Sequence, residues 1–139
     1  MDRAASNLEI RIERTIHASP ERAYDAWLDP RVPGTPWNAA AKLVLDCKVD
    51  GLFFSRMKDT PHYGMFTVLE RGKEIRHTWM SPYTEGRETH VTVTFSRDGS
   101  DTLMVLVHTG LPDNDNGLAH RKGWTFFMDS FPQHFAAGA

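Results

Sequence analysis

Hydrophobic and polar residues alternate through most of the chain, which is the pattern of half-buried β-strands. The first such segment, LEIRIERTIHA, places Leu8, Ile10, Ile12 and Ile16 on one face. Six more strands are predicted in KLVLDCKV, LFFSRM, YGMFTVLE, EIRHTWM, THVTVTF and TLMVLVH. Short connections separate them, so we expect one antiparallel sheet of about seven strands.

Helical periodicity replaces this alternation directly after the first strand. In SPERAYDAWLDP, Ser19 can cap a helix, Pro20 suits its first position and Pro30 stops it. The next segment, RVPGTPW, is rich in proline and glycine and is expected to form a loop or a second short helix that presents Trp37. The sequence therefore predicts two short helices between the first and second strands.

A longer helix is predicted near the end of the chain. Its apolar stripe, spaced by three or four positions, contains Trp124, Phe127, Met128, Phe131 and Phe135. Either Asp113 or Asp115 is expected to cap it. Pro132 should break it near Phe131, because proline cannot donate a backbone hydrogen bond.

Two Asp-Gly pairs predict tight hairpin turns, at Asp50-Gly51 and at Asp98-Gly99. The second would place Arg97 opposite Ser100 and Phe95 opposite Thr102. It would also put one set of residues on the inward face of the sheet: Val91, Val93, Met104, Leu106 and His108. His90 would lie on the opposite face from His108. The outward face, with Leu103, Val105 and Val107, is apolar enough for a partner to cover part of it.

Composition places the chain among ordinary globular proteins. It has 139 residues, 40% hydrophobic and 24% charged, which fits one domain spanning residues 1–139. The net charge of −2 and the lack of a basic stripe argue against nucleic-acid binding. No segment approaches the roughly 20 apolar residues of a membrane span. The N-terminal residues lack a signal-peptide pattern, and Cys47, expected to be buried, is a lone cysteine, so we expect a cytoplasmic protein.

The ordered set of segments resembles a known family over residues 8–136. TIHASPERAYDAWLDP, DGLFF, GMFTVLERGKEIRHTWM, VTVTFSRDGSDTLMVLVHTGL and HRKGWTFFMDSF are similar to the START-like (SRPBCC) superfamily, in the branch of the activator of Hsp90 ATPase. The resemblance implies an α+β helix-grip fold, in which a curved antiparallel sheet wraps around a long C-terminal helix. The chain departs from the family at Asp50, where a glycine is usual, and at Pro132, where the last helix usually continues.

No sequence motif for catalysis or for cofactor binding is present, and no cofactor is expected. The seven histidines are scattered, and none forms an i, i+4 pair on a helix, so no metal site is predicted. His108 ends an inward-facing run. It could be a packed core histidine, a polar anchor within an apolar cavity, or a general base, and it is the only catalytic candidate.

Binding of a small apolar or aromatic molecule is the leading hypothesis. The ligand would lie between the last helix and the inner face of the sheet, against Trp37, Phe53, Met57, Phe66, Trp79, Val91, Val93, Met104, Leu106, His108, Trp124, Phe127, Met128 and Phe131. An alternative is an enzyme of the same fold, a cyclase, an aromatase or a small hydrolase, that uses His108. A third is a protein-interaction module, either a regulator of an Hsp90-type chaperone or a homodimer.

Overall fold

The structure is a computed structural model that describes residues 7–136. Seven strands run in the order β1 (Asn7–Ile16), β2 (Lys42–Leu45), β3 (Leu52–Met57), β4 (Thr60–Glu70), β5 (Glu74–Trp79), β6 (Thr89–Asp98) and β7 (Asp101–Pro112). The helices are α1 (Pro20–Trp27), α2 (Asp115–Ser130) and α3 (Gln133–Ala136), and a 3₁₀ turn covers Pro82–Thr84. The predicted α+β helix-grip architecture with seven strands is confirmed.

The strands form one curved antiparallel sheet in the order β1-β7-β6-β5-β4-β3-β2. Every strand therefore pairs with its neighbour along the chain except β1, which pairs with the last strand, β7. The sheet stays open, with β1 and β2 at its two edges. This order puts β1 beside β7 and leaves the β3–β4 hairpin towards the opposite edge of the sheet.

The predicted register of the β6–β7 hairpin is wrong by two residues. Phe95 pairs with Met104 and not with Thr102, because Gly99 and Ser100, rather than Asp98 and Gly99, form the turn. Gly99 has a φ of 64°, which suits the first central position of a type II′ turn. A shift of two positions keeps every side chain on its predicted face, since side chains alternate with a period of two. The inward set therefore stays inward.

Three further expectations near the loops need correction. The β2–β3 connection is a six-residue loop, 46–51, and not a two-residue turn at Asp50-Gly51. Cys47 lies in that loop and is exposed, because the alternating pattern ends at Leu45. Residues 29–40 form successive turns, so only one short helix follows β1. Prolines at 30, 33 and 36 explain why a second helix does not form there.

The helix ends follow ordinary capping chemistry. Ser19 accepts a hydrogen bond from the backbone of Arg22 at the start of α1, as predicted. The cap of α2 is Asn114 rather than either neighbouring aspartate, and its Oδ1 accepts from the N–H groups of Asn116 and Gly117. The predicted break is confirmed: α2 ends at Ser130, and α3 begins directly after Pro132.

The hydrophobic core fills most of the concave side of the sheet beneath α2. Trp37 lies at its centre, 2% exposed, with its ring centroid 5.0 Å from Phe53 and 5.9 Å from His77. Trp27 of α1 makes an edge-on contact with Phe131 at 5.1 Å. Large rings therefore occupy the middle of the space that the sequence left open as a ligand hollow.

Candidate functional site

A cleft of about 650 Å³ opens between α2 and the β3–β4 hairpin. The helix contributes Ala119, His120, Lys122, Gly123, Trp124, Phe126 and Phe127, and the hairpin contributes Met57, Lys58, Thr60 and His62. Ala39, Trp79 and Tyr83 complete the wall. Its volume lies within the roughly 300–1,000 Å³ of ordinary small-molecule sites, and aromatic side chains contribute to both of its sides.

The helical repeat explains why α2 presents this set of residues. Residues 119, 123 and 127 follow one another at intervals of four, and His120 and Trp124 form the adjacent row, so all share one side of the helix. Gly123 interrupts the row with an open notch, where an added Cβ atom would have no heavy atom within 4 Å. Phe126 is 64% exposed and lies at the rim.

Trp79 forms the floor of the cleft and joins its two sides. Its ring centroid lies 5.1 Å from that of Trp124 on the helix and 5.0 Å from that of His62 on the hairpin. The indole is 2% exposed, and its Nε1 atom has no hydrogen-bond partner among residues 7–136. Trp79 ends β5, so the sheet sets the position of this ring independently of the helix.

His108 lies beneath the cleft in a closed hydrogen-bond chain. The indole Nε1 of Trp124 donates to Nδ1 of His108 at 2.9 Å. On the other side of the ring, Nε2 lies 2.7 Å from the hydroxyl of Thr89, which donates its own hydrogen to the carbonyl of Trp79 at 2.6 Å. The hydroxyl must therefore accept from Nε2, and the imidazole is neutral with its proton on Nε2.

These hydrogen bonds leave His108 without a free nitrogen atom. Burial, and secondarily the nearby His120, hold its pKa well below the ordinary value, so it stays neutral. The side chain is 0% exposed and does not line the cleft. Its geometry matches a hydrogen-bonded core histidine that fixes the rotamer of Trp124, which is one of the three roles considered from the sequence. A general base would need the Nδ1 lone pair that Trp124 occupies.

Two other histidines do line the cleft. Nδ1 of His62 lies 3.3 Å from the carbonyl oxygen of Ser55, and Nδ1 of His120 lies 3.1 Å from that of Asn116. Burial lowers the pKa of both imidazoles, and the proximity of His120 lowers that of His62 a little further. Both rings are therefore neutral at pH 7.

The predicted binding residues divide into two groups. Met57, Trp79, Trp124 and Phe127 line the cleft. The others lie in the packed core or at its edge and do not reach the cleft: Trp37, Phe53, Phe66, Val91, Val93, Met104, Leu106, His108, Met128 and Phe131. The alternation that identified them reports burial, and burial alone does not distinguish a core side chain from a cavity wall.

Several wall residues were not anticipated from the sequence. His120 had a readable signal, because it precedes Trp124 by four positions and so shares its side of α2. His62, Lys58 and Tyr83 had none, since they reach the cleft only through strand pairing and the 3₁₀ turn. Within residues 7–136, no three His, Cys, Asp or Glu side chains are close enough to hold a metal ion. No helix in that range is both long and apolar enough to cross a bilayer.

Solved structures with this fold come from several organisms. Protein CV1439 from Chromobacterium violaceum is 23% identical, with a TM-score of 0.74 over 91% of this chain and 96% of that one. PFC0360w from Plasmodium falciparum, described as an HSP90 activator, is also 23% identical, with a TM-score of 0.70 over 94% of each chain. Likeness at this level of identity shows the shared fold.

Sequence comparison identifies the family. The uncharacterized protein C1711.08 of Schizosaccharomyces pombe is 28% identical over 127 residues, which are 90% of this chain and 36% of the relative. The chain thus spans about a third of that protein's length. The family model described as "Activator of Hsp90 ATPase homolog 1-like protein" matches residues 17–136. Since this match covers most of the chain, the protein belongs to the activator of Hsp90 ATPase homolog 1-like family.

Proposed function

We propose that the protein binds a small aromatic molecule in the cleft between α2 and the β3–β4 hairpin. The cleft itself is the observation that carries this proposal: about 650 Å³ of space bordered by Trp79, Trp124, Phe126 and Phe127. Small-molecule sites are usually clefts of this size whose walls combine apolar and aromatic side chains with a few polar groups. The ligand class is the one expected from the sequence, and four of the predicted binding residues, Met57, Trp79, Trp124 and Phe127, line the cleft.

The shape of the walls supports a flat ligand. Trp79 and Trp124 are held on separate elements, and their ring planes are tilted by 50°. Each indole has two stiff χ angles, and His108 further restrains that of Trp124, so the walls should not collapse in the absence of a ligand. Burial of about 100 Å² of ligand surface contributes roughly 2.5 kcal/mol before the cost of association, so a bicyclic ring system suffices for measurable affinity.

Gly123 offers a direct test because its position opens into the cleft. Equilibrium dialysis with naphthalene as the probe should show binding to the wild-type protein. Gly123→Phe fills the notch with a ring and should reduce affinity about tenfold or more. Gly123→Ala is the matched control and should bind as the wild type does, since a single methyl removes little of the space.

A second variant is needed because the phenylalanine introduced by Gly123→Phe would leave the cleft open if its ring pointed towards solvent. Ala119 lies one helical turn before Gly123 on the same wall and is exposed, so Ala119→Phe tests the same space from another position. Unchanged naphthalene affinity in both filled variants, each shown to be folded by circular dichroism, would place the ligand elsewhere. Absence of binding by the wild-type protein across bicyclic and tricyclic aromatics would contradict the proposal outright.

Regulation of an Hsp90-type chaperone is the second candidate. The match to the activator family over residues 17–136, together with the HSP90 activator named from Plasmodium falciparum, favours it. If this function holds, the protein should raise the ATPase rate of an Hsp90-type chaperone in proportion to the fraction of chaperone to which it is bound. An unchanged rate at saturating protein, with a known activator as the positive control, would exclude it.

A further inference from the structure

Two imidazoles in the cleft have one nitrogen atom committed to the backbone and the other free. A carbonyl oxygen only accepts hydrogen bonds, so Nδ1 of His62 must donate to Ser55 and Nδ1 of His120 must donate to Asn116. A neutral imidazole carries one proton, and here that proton is on Nδ1. Each Nε2 atom is then an unprotonated acceptor, without a partner among the described residues.

The groups around these imidazoles keep them neutral. The titratable or charged side chains shown beside them are Lys58, Tyr83 and Lys122 in the cleft wall, and His108, whose ring centroid lies 5.1 Å from that of His120. The two lysines make the cleft wall positive. No aspartate or glutamate is part of the described cleft wall, and Glu85 is already engaged by the side chains of Asn114 and Asn116. Burial acts in the same direction for both rings.

We infer that the ligand is an aromatic molecule bearing a hydroxyl group, which donates its hydrogen to Nε2 of His62 or His120. This inference rests on the proposed function and names the ligand class for the same cleft. The rings on the wall accept the aromatic body, and the imidazoles supply the few placed polar groups that orient a guest in an apolar site. The hydroxyl oxygen is left free to accept from the ammonium group of Lys58 or Lys122.

A hydroxyl satisfies this arrangement better than the other common polar groups. A ketone or an ether brings only acceptors, which would oppose the Nε2 lone pairs. A carboxylate could pair with the two lysines, but its oxygens would repel the same lone pairs as long as the histidines are neutral. A phenolic hydroxyl provides the hydrogen-bond donor that the Nε2 atoms of both imidazoles require as a partner.

Matched naphthalene derivatives separate these possibilities. At pH 7.5, 2-naphthol should bind about five- to tenfold more tightly than naphthalene or 2-methoxynaphthalene, as expected for one added hydrogen bond. The preference should disappear in the His62→Phe,His120→Phe double variant. It should return in part in His62→Gln,His120→Phe, because the glutamine amide oxygen again offers an acceptor.

Acid should abolish the preference for 2-naphthol over 2-methoxynaphthalene in the unaltered protein, which makes the test independent of any folding defect in the variants. As the pH falls below the lowered pKa values of His62 and His120, each Nε2 gains a proton and becomes a donor. The advantage of 2-naphthol over 2-methoxynaphthalene should then vanish, because either oxygen can accept from a protonated ring. Binding of 2-naphthoate should strengthen because the cleft becomes more positive. Equilibrium dialysis from pH 7.5 downward, as far as circular dichroism shows a folded protein, measures the affinities of 2-naphthol, 2-methoxynaphthalene and 2-naphthoate.

The outcomes distinguish the two proposals. Equal binding of naphthol and naphthalene at every pH, with both weakened by Gly123→Phe, would overturn the hydroxyl assignment and leave the cleft as the binding site. Tighter binding of 2-naphthoate than of 2-naphthol at pH 7.5, lost in Lys58→Gln,Lys122→Gln, would make the cleft an anion site and also overturn it. Failure of every compound to bind would overturn both proposals.

Discussion

At the scale of single residues, buried polar atoms distinguish otherwise similar side chains. The four tryptophans, at 27, 37, 79 and 124, are all almost fully buried. Only the indole of Trp124 donates a hydrogen bond within the described chain, while the Nε1 atoms of the other three have no partner there. Removing an indole N–H that donates a hydrogen bond costs more stability than removing one that has no partner. These positions should therefore not respond equally to the same substitution.

Trp124→Phe should destabilise the protein more than Trp27→Phe, by about 1–2 kcal/mol in the free energy of unfolding. Both changes remove the same atoms from buried sites, but only the first leaves Nδ1 of His108 without its donor. Urea denaturation of the two variants measures the difference. Equal destabilisation would show that the bond between Trp124 and His108 contributes nothing to stability.

His77 should make the protein sensitive to acid. Burial lowers the pKa of His77 to about 4, against about 6.5 in an unfolded chain. Between these values the unfolded state binds more protons than the native state, so stability falls as the pH falls. The full loss is about 3 kcal/mol, complete below the lower pKa. The free energy of unfolding measured from pH 7 to pH 4 should show this loss.

His77→Phe should remove that part of the pH dependence, because a phenyl ring does not titrate and the site is already lined by Trp37, Phe53 and Phe66. The corresponding change at the exposed position 90, His90→Phe, is the control and should retain the acid sensitivity. A pH profile of His77→Phe that is parallel to the wild-type profile would contradict this role for His77.

At the scale of elements, α2 matters most, because it supplies half of the cleft wall. Its N-terminal turn packs so closely on the end of β7 that a Cβ atom at Gly117 would lie 1.8 Å from the carbonyl oxygen of Pro112. An ion pair between Arg14 of β1 and Asp129, 2.7 Å, joins its other end to the sheet. The close approach at Gly117 sets the angle at which the helix crosses the hollow.

Gly117→Ala and Gly123→Ala should therefore have opposite effects within one helix. The first requires backbone movement and should destabilise the protein by more than about 2 kcal/mol. The second has open space for its methyl group and should stabilise the helix by about 0.5–1 kcal/mol, since glycine is a poor helix former. Thermal unfolding monitored by circular dichroism measures both. Destabilisation by Gly123→Ala would mean that this position is not open.

The sequence patterns predicted the strands and helices well, and the turns and helix caps between them less well. All seven strands and the break at Pro132 followed from periodicity and from proline chemistry. The turn at Gly99 was misplaced by one residue, because an Asp-Gly pair and a Gly-Ser pair are both acceptable hairpin loops and only the pairing of β6 with β7 chooses between them. Asn114 displaced its aspartate neighbours as the cap of α2 for a similar reason: several candidates were adjacent.

At the scale of the whole molecule, ligand binding and stability should be linked. A compound that binds only the folded protein raises its stability by mass action, by about 2.7 kcal/mol at one hundred times the dissociation constant. Urea unfolding with 2-naphthol should show this gain in the wild type and in Gly123→Ala. Gly123→Phe, with its cleft filled, should show little gain at the same concentration. Equal stabilisation of all three proteins would indicate binding outside the cleft.

The local pattern of the chain by itself determined most of the buried residues and the seven strands and the long helix that carry them. Alternation and the 3.6-residue repeat depend only on neighbours along the chain, so Trp79, Trp124 and Phe127 could be assigned to the interior without coordinates. Whether an interior residue meets another side chain or open space depends on segments distant in sequence. Only the tertiary structure shows that Trp37, Phe53 and Phe66 close the middle of the hollow, and that His62 and His120 face the space that remains.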